Sequence, residues 1–397
     1  MNLLTEKDEF GSSTKCVHSG TEADPSWGSV VTPIYQTTTY SIPDVPELIA
    51  LYSHKKKGYT YTSTGNPTQR AAEKKIAALE GGEDAAVFSA GMGAITATIN
   101  SLVRNGDEVI AQNDLYGETF RLFKTMPEMR GVKSHFFNAA RIDEVEELIN
   151  EKTRLLYLET PTNPLLKLVD IEKATEIARD HGVTTILDNT FASPLNQRGL
   201  DLGVDIVVES ATKSLSGHHH VVCGAAISTK EHIKAIKHMR GDYGQTLDPF
   251  GAFLLITGMQ TMSLRIERMN ANALALAEFL EESPKVERVY YPGLPSHPQH
   301  DIAKKQMHGF GSMVSFEVKG GLDAITHLFN HLELVKLATS LGGVDTIATI
   351  PCISTHGGLS KEAQLKVGIT ENLVRASIGI EDYPDLENDF KKALSHL

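Results

Sequence analysis

The chain has 397 residues, of which 41% are hydrophobic, and at about 150 residues per domain this length corresponds to two or three globular domains. Its 50 acidic and 38 basic residues leave a net charge of −12, and no basic block longer than Lys55–Lys57 is present, so nucleic-acid binding is not indicated. We therefore expect a folded protein that acts on small molecules.

Two features of the sequence bear on the compartment of the protein. The first ten residues carry Glu6, Asp8 and Glu9, where a signal peptide would have basic and then apolar residues, and no apolar run approaches the length of a membrane span. The three cysteines lie far apart and form no C-x-x-C pair, so reduced and mostly buried thiols are expected: Cys16, Cys223 and Cys352. Together these features predict a cytoplasmic protein.

Helical apolar spacings alternate with short β-branched runs from about residue 67 to residue 228. Asn66 or Thr68 can cap a first helix, which Gly81 and Gly82 end. The strands predicted along this stretch are 85–88, 108–111, 155–158, 184–187 and 205–208, and the helices that follow the first one are 93–102, 142–151 and 171–181. Such alternation predicts a mostly parallel sheet covered by helices.

The two ends of the chain have different patterns. About the first 60 residues contain several prolines and no sustained period, which is typical of an extended arm that lies against another surface, such as a second subunit. After Phe250 a long helical region precedes a proline-rich segment, and strands are predicted at 311–318 and 373–380. We therefore predict three parts, namely an arm (1–62), a large α/β domain (63–255) and a smaller C-terminal α/β domain (256–397).

Three polar clusters follow strands of the large domain, where ligands of open α/β sheets bind. The small residues 89–93 favour either an anion site at a helix N-terminus or a tight turn, and Asp188 is either a ligand group or a cap. Ser210, Thr212 and Lys213 follow the last of these strands. An anion cradle, a carboxylate and an amine are what pyridoxal 5'-phosphate requires, because it needs a phosphate anchor, a partner for its ring nitrogen and an amine for a Schiff base. The sequence favours Lys213 as that amine.

Five motifs carry a resemblance to a known family. They are Gly65-Asn66-Pro67-Thr68, Asp114-Leu115-Tyr116-Gly117, Asp188-Asn189-Thr190-Phe191, Ser210-Ala211-Thr212-Lys213 and Ser340-Leu341-Gly342-Gly343. Over about residues 15–395 the chain resembles the Cys/Met-metabolism family of pyridoxal-phosphate enzymes, which includes cystathionine γ-synthase, cystathionine γ-lyase, methionine γ-lyase and the acylhomoserine sulfhydrylases. The resemblance implies fold type I, as in aspartate aminotransferase. Its large domain has a mostly parallel seven-stranded sheet between helices, and homotetramers share active sites through the N-terminal arm.

The resemblance also implies a role for each matching residue. Lys213 would carry the cofactor as a Schiff base and move protons, Asp188 would pair with the ring nitrogen, and Tyr116 would stack on the ring and assist proton transfer. The phosphate would be held by Gly91, Met92, Ser210 and Thr212, together with Tyr61 of a neighbouring subunit, and the substrate carboxylate by Arg375, Asn163 and Ser340. No metal is expected.

The sequence departs from the family pattern at two places. Tyr61 is present, but Ser63 stands where the family usually has an arginine, so we expect weaker cofactor binding unless another cation compensates. Lys55–Lys57 is a candidate for that cation, although the pattern favours a solvated charge run. At 218–220 three histidines replace the usual His-Ser-Asp; because adjacent side chains diverge, a local polar network or tolerated variation is favoured over a metal site.

The substrate is left open by three positions. Thr339 stands where cystathionine-using members tend to have glutamate, Glu118 stands where methionine γ-lyases tend to have cysteine, and Arg121 resembles the arginine of cystathionine synthases and lyases. We predict γ-elimination or γ-replacement on a sulfur amino acid or an O-acyl homoserine. The alternatives are β-elimination at a carbon–sulfur bond, γ-replacement with an unusual nucleophile in a biosynthetic pathway, and a catalytically quiet protein that binds the cofactor.

Overall fold

The computed structural model describes residues 10–24, 26–358 and 360–397, so the amino-terminal residues considered for a signal peptide and the first part of the predicted arm lie outside the described residues. The helices are α1 (Ser12–His18), α2 (Val45–Tyr52), α3 (Pro67–Glu80), α4 (Gly91–Leu102), α5 (Gly117–Arg130), α6 (Glu144–Leu148), α7 (Ile171–Asp180), α8 (Ser193–Asn196), α9 (Lys230–Tyr243), α10 (Pro249–Gln260), α11 (Met262–Glu282), α12 (His300–Gln306), α13 (Gly321–His331), α14 (Lys361–Lys366) and α15 (Tyr383–Ser395). The strands are β1 (Asp84–Phe88), β2 (Glu108–Gln112), β3 (Lys133–Phe137), β4 (Thr153–Glu159), β5 (Thr184–Asp188), β6 (Ile206–Glu209), β7 (Gly224–Ser228), β8 (Val286–Tyr290), β9 (Met313–Val318), β10 (Lys336–Leu337), β11 (Ile347–Thr349) and β12 (Leu373–Ser377).

The larger sheet has seven strands in the order β1-β7-β6-β5-β4-β2-β3. All neighbouring pairs are parallel except those of β7, which runs antiparallel to both β1 and β6. The predicted mostly parallel seven-stranded sheet is therefore confirmed. The sequence pattern did not predict β3 or β7, because the first is polar and partly exposed and the second is built from small residues that acquire strand structure by pairing with their neighbours.

Both faces of the central strands of this sheet are buried, which explains why those strands are nearly continuous apolar runs. Leu187 and Val207 belong to a core beneath α3 and α10, whereas Ile186 and Val208 belong to a second core beneath α4 and α9. Helix α3, the first helix predicted from the sequence, has the bounds that its capping residues predict. The side chain of Asn66 accepts a hydrogen bond from the Thr68 amide (2.9 Å). The predicted helix 142–151 is shorter than expected and is limited to α6.

The smaller sheet has five strands in the order β10-β11-β12-β9-β8, and it is antiparallel except for the β10–β11 pair. Helices α11, α13 and α15 cover it and share its apolar core. Arg375 lies in the middle of β12, opposite Ser315 of β9, so a charged side chain is held on a central strand. The predicted division between residues 255 and 256 falls inside α10 and stays a prediction.

The described part of the predicted arm is not extended throughout, because it contains α1 and α2. Lys75 of α3 is buried and donates hydrogen bonds to the carbonyl oxygens of Cys16 (2.6 Å) and Val17 (3.1 Å) at the end of α1. Further along, Trp27 and Val30 are about nine-tenths exposed, at 92% and 90%. Among the described residues, no helix combines the length and apolar character that a bilayer crossing needs.

Candidate active site

The predicted site residues gather at the carboxyl ends of the central parallel strands. Asp188 is the last residue of β5, and the turn with Ser210, Thr212 and Lys213 follows β6. Helix α4 begins close by at Gly91. This edge is where parallel sheets place their ligands, since the backbone N–H groups and side chains of several loops converge there.

Lys213 is partly buried and faces the C-terminal part of the chain. Its Nζ donates a hydrogen bond to Ser340 Oγ at 2.8 Å. Burial, and to a smaller extent the positive charge of Arg375, lower the pKa of Lys213 to about 8. An amine with this pKa has a substantial neutral fraction near neutral pH, which is the form that attacks carbonyl groups and accepts protons.

Arg375 is buried, with 3% of its surface exposed, and it binds two of the other predicted substrate residues. One of its terminal nitrogens donates to Asn163 Oδ1 (2.9 Å) and the other to the Ser340 carbonyl (2.8 Å), while its Nε has no hydrogen-bond partner. Within the described chain no carboxylate is in ion-pair range of it, and burial lowers its pKa to about 10. A buried guanidinium without an anion has the charge and the geometry to hold a carboxylate.

Asp188 is buried on the same edge of the sheet. Its Oδ1 accepts hydrogen bonds from the Thr190 amide (3.1 Å) and hydroxyl (2.5 Å), and its Oδ2 accepts one from the Tyr157 hydroxyl at 3.3 Å. Burial nevertheless raises the pKa of Asp188 above its usual value. Since these neutral donors do not fully offset burial, a cationic N–H group next to the carboxylate would be stabilised there.

The start of α4 and the loop after β6 together form a cradle for an anion. The N-cap residue Ala90 provides no side-chain hydrogen bond to the first turn, and a Cβ at Gly91 would lie 2.9 Å from Ser210 Oγ, so the backbone must be bare there. Thr212 Oγ1 donates to the Cys223 carbonyl (3.0 Å) and accepts from the Cys223 amide (2.9 Å). Of the two hydroxyls predicted to bind phosphate, that of Ser210 is therefore the one with its proton available.

Tyr116 is positioned by a residue that the sequence reasoning did not single out. Its backbone amide donates to Glu159 Oε2 at 2.7 Å, and Glu159 lies opposite Asp188 in the β4–β5 register. Burial and the neighbouring Glu118 raise the pKa of Tyr116 to about 12, so its phenol is a proton donor near neutral pH. The signal that could have found Glu159 is the one that found Asp188, a carboxylate at the end of an apolar strand.

Tyr61 is not brought into this cluster. Its side chain is half exposed, and within the described chain no hydrogen bond joins it to the other predicted site residues. Ser63 lies on the same segment, and its carbonyl accepts from the Thr246 hydroxyl at 3.5 Å. Lys56 pairs with Glu47 rather than with the site.

The three adjacent histidines point in different directions. His218 Nδ1 lies 2.7 Å from the Ser216 carbonyl, and His219 Nε2 lies 3.3 Å from Asp345 Oδ1. The rings of His218 and His220 contact each other edge to face, with centroids 5.4 Å apart. In the part of the chain that the structure describes, no three His, Cys, Asp or Glu side chains are grouped as metal ligands would be.

Comparison with known proteins decides the family. The model of the Cys/Met metabolism PLP-dependent enzyme family matches residues 13–395. The chain belongs to this family. It is 41% identical over 392 residues to cystathionine gamma-lyase of Dictyostelium discoideum, covering 98% of this chain and 99% of the relative. It is also 41% identical over 386 residues to cystathionine beta-lyase of Coxiella burnetii, covering 96% and 97%.

A solved structure supports the same assignment. The crystal structure of metB from Corynebacterium glutamicum superposes with a TM-score of 0.92 at 38% identity, covering 98% of this chain and 99% of that one. The chain is thus a PLP-dependent enzyme of the carbon–sulfur lyase and transsulfuration family. Its own residues fit the cofactor of that family, because the uncapped start of α4 suits a phosphate, the buried Asp188 lacks a cation, and the Lys213 amine has a lowered pKa.

Proposed function

We propose that this enzyme catalyses γ-elimination or γ-replacement on a sulfur amino acid or an O-acyl homoserine, with Lys213 as the amine that carries the cofactor as a Schiff base. The observation that supports this most directly is the chain of contacts from Lys213 through Ser340 to Arg375. A substrate carboxylate bound by Arg375 brings the substrate α-carbon next to the Lys213 amine. These contacts suit an α-amino acid, because Ser340 keeps the Arg375 guanidinium, which would bind the carboxylate, close to the Lys213 amine.

The cofactor contacts follow from the same edge of the sheet. The Gly91 and Met92 amides, with the Ser210 hydroxyl, would hold the phosphate at the start of α4, and Asp188 would accept a hydrogen bond from the ring nitrogen. Thr212 fixes the loop after β6, because its hydroxyl donates a hydrogen bond to the Cys223 carbonyl and accepts one from the Cys223 amide. When bound, pyridoxal phosphate withdraws electrons from the substrate α- and β-carbons.

Lys213 is the group that moves protons. With an amino acid bound at the cofactor, the free Lys213 amine would take the proton from the substrate α-carbon and, after passing it on, would take a proton from the β-carbon so that the γ-substituent can leave. A pKa of about 8 suits both directions, because neither the amine nor the ammonium is strongly favoured near neutral pH. Ser340 keeps the amine oriented through its hydroxyl.

Tyr116 is the proton donor to the group that leaves the γ-carbon. Its raised pKa keeps the phenol protonated, and the Glu159 contact to its amide fixes the start of α5 beside the site. Asn163 does not need to touch the substrate; its Oδ1 accepts a hydrogen bond from a terminal nitrogen of Arg375 and so orients the guanidinium.

We propose a homotetramer in which Tyr61 of one subunit completes the phosphate site of its neighbour. The support is the half-exposed Tyr61, together with Trp27 and Val30 of the same arm, which are nine-tenths exposed on a single chain. Side chains of this size gain free energy when another subunit covers them. The oligomeric state in solution, measured by light scattering, tests this part of the proposal.

β-Elimination from cystathionine or cysteine is the second candidate, and the identity to a cystathionine beta-lyase favours it as much as the identity to a cystathionine gamma-lyase favours γ-chemistry. The two differ in their 2-oxoacid products, since γ-elimination yields 2-oxobutanoate and β-elimination from these substrates yields pyruvate. Thr339 favours neither reaction, because its side chain is uncharged. It lines an open cavity of about 520 Å³.

The test is a product assay by mass spectrometry with methionine, cystathionine, homocysteine, cysteine and O-acyl homoserines, each with and without an added thiol. 2-Oxobutanoate, or a γ-substituted amino acid when thiol is present, supports the proposal. Pyruvate alone assigns the enzyme to β-elimination. Absence of turnover, with the cofactor's visible absorbance present in the wild-type chain and lost in Lys213→Ala, contradicts γ-chemistry on these substrates.

A further inference from the structure

Two residues with side chains adopt left-handed backbone angles on either side of Lys213. Ser340 has φ +82° and His219 has φ +54°. This conformation is disfavoured for residues with a Cβ and persists where surrounding contacts hold it. Ser340 binds the Lys213 amine, whereas His219 follows Lys213 by six residues and lies beside Asp345.

The turn of residues 340–345, here called the Ser340 turn, packs directly on the loop that contains Lys213 and His219. A Cβ at Gly342 would lie 2.6 Å from the Ser214 amide nitrogen. A Cβ at Gly343 would lie 1.9 Å from Nε2 of His219, so the bare backbone of the turn lies flat against the imidazole ring. The ring is therefore one wall of the space that the turn occupies.

His219 also lies beside a carboxylate of the same turn. His219 Nε2 lies 3.3 Å from Asp345 Oδ1, at the end of the Ser340 turn, and Lys336 Nζ lies 2.8 Å from the other oxygen of Asp345. Lys336, and to a smaller extent His219, holds the pKa of Asp345 below its usual value, so this group is a carboxylate. The side chains of His219 and Asp345 are 30% and 34% exposed, which leaves them only partly screened by water.

The far side of the turn is anchored independently of His219. The Gly342 amide donates to Ser377 Oγ at 2.8 Å, and the Ile380 amide donates to the Val344 carbonyl at 2.9 Å. These bonds attach the turn to the end of β12, the strand that carries Arg375, and to the segment just after it. Contact with His219 thus adds a side-chain connection between this C-terminal scaffold and the loop of Lys213, beside the approach of Gly342 to Ser214.

We propose that His219 is a positioning residue for Lys213, which acts by holding the Ser340 turn, and with it the Ser340 hydroxyl, against the lysine amine. The inference rests on the proposed function in one respect, that Lys213 is the reacting amine. Without the His219 contact the turn relaxes, water reaches the amine, and the pKa of Lys213 rises, because burial is the main cause of its low value. A smaller fraction of the amine is then neutral at pH 7.

The test uses the full-length chain without cofactor and measures acetylation of Lys213 by trace acetic anhydride between pH 6 and pH 11, read by peptide mass spectrometry. His219→Asn keeps a residue that tolerates left-handed angles but is too short to reach Asp345, and Asp345→Asn removes the charge at constant size. We expect each to lower the Lys213 rate at pH 7 by about three- to tenfold, as expected for a pKa rise of half a unit to one unit, with equal rates at pH 11. The double variant should equal the stronger single variant.

His220→Asn is the matched control, because its ring is exposed and does not contact Asp345. Its labelling profile should match that of the wild type. If His219→Asn does not fold by circular dichroism, Asp345→Asn decides the outcome. Wild-type profiles in the variants that fold overturn the proposal. Failure of the proposed function is seen separately, as absence of a visible absorbance band when pyridoxal phosphate is added to the wild type, and it leaves the labelling comparison intact.

Discussion

Lys213 and Arg375 are joined through one residue, Ser340, whose hydroxyl accepts a hydrogen bond from the amine at 2.8 Å while its carbonyl accepts one from the guanidinium at 2.8 Å. The two cations lie 162 positions apart in the sequence, one after β6 and the other on β12. Their mutual repulsion contributes to the low pKa of Lys213. The site therefore holds two positively charged groups, one from the region of each sheet, close to the same serine. A bound carboxylate would reduce their mutual repulsion.

Arg375→Gln should lower kcat/KM by about ten- to a hundredfold with amino-acid substrates, mainly through KM, because a charge-assisted contact to the substrate carboxylate is lost. Steady-state kinetics on whichever substrate the product assay identifies provide the measurement. Arg141→Gln removes a guanidinium that is 69% exposed and pairs with Glu144, and it should change neither parameter. Equal losses in both variants would contradict a specific role for Arg375.

The rate at which pyridoxal phosphate combines with the cofactor-free chain should rise about tenfold per pH unit below pH 8 and level off above it. The reason is that only the neutral Lys213 amine attacks, and its pKa is lowered to about 8. Stopped-flow absorbance in the visible range follows the reaction. In Arg375→Gln the plateau should begin at a higher pH, since the second cause of the low pKa has been removed. A rate independent of pH between 6 and 8 would rule out Lys213 as the group that limits binding.

Ser63→Arg should bind pyridoxal phosphate about ten- to a hundredfold more tightly than the wild-type chain, because it restores a charge-assisted contact where the family usually has an arginine. Equilibrium dialysis of the cofactor measures the two dissociation constants. Ser53→Arg, on an exposed helix end, controls for a general gain of positive charge. Identical dissociation constants for Ser63→Arg and the wild type would show that another group already replaces the missing arginine.

Glu209→Gln should stabilise the protein at pH 8 and have a much smaller effect at pH 5. Glu80 and Glu209 are both buried and lie within hydrogen-bond reach of each other, and no donor among the described residues reaches either oxygen of Glu209. One carboxyl must therefore be protonated for the two to bond. Burial raises the pKa of Glu80 to about 7 and that of Glu209 well above its usual value, so the folded state binds more protons than the unfolded state.

The sign of this effect follows from proton binding. Because the folded chain holds the extra protons, its stability is highest below the ordinary carboxyl pKa and falls as pH rises through the folded values. The amide in Glu209→Gln removes that loss, so we expect the melting temperature at pH 8 to rise by about 2–5 °C. Differential scanning calorimetry at both pH values is the measurement. An equal or larger rise at pH 5 would contradict the assignment of a shared proton.

Much of the fold and the centre of the site follows from local patterns in the sequence. Asn66 and Gly81 define α3 because capping groups and left-handed glycines act within one turn of the helix. Asp188, Ser210 and Lys213 follow apolar strands, and such strands, when parallel, end at one edge of a sheet. These signals depend on a few consecutive residues, and so they can be recognised without any knowledge of the partners across the fold.

Contacts between distant segments were decided by the tertiary structure alone. Nothing near Glu209 in the sequence indicates that it meets Glu80, nothing near Glu159 indicates that it binds the Tyr116 amide, and the histidine run does not reveal that His219 lies on Gly343 beside Asp345. The physical reason is that burial, pKa and backbone strain depend on what surrounds a residue in three dimensions. The sequence determines which groups a chain carries to its active site, and packing determines which of them are charged, strained or held in place once they arrive.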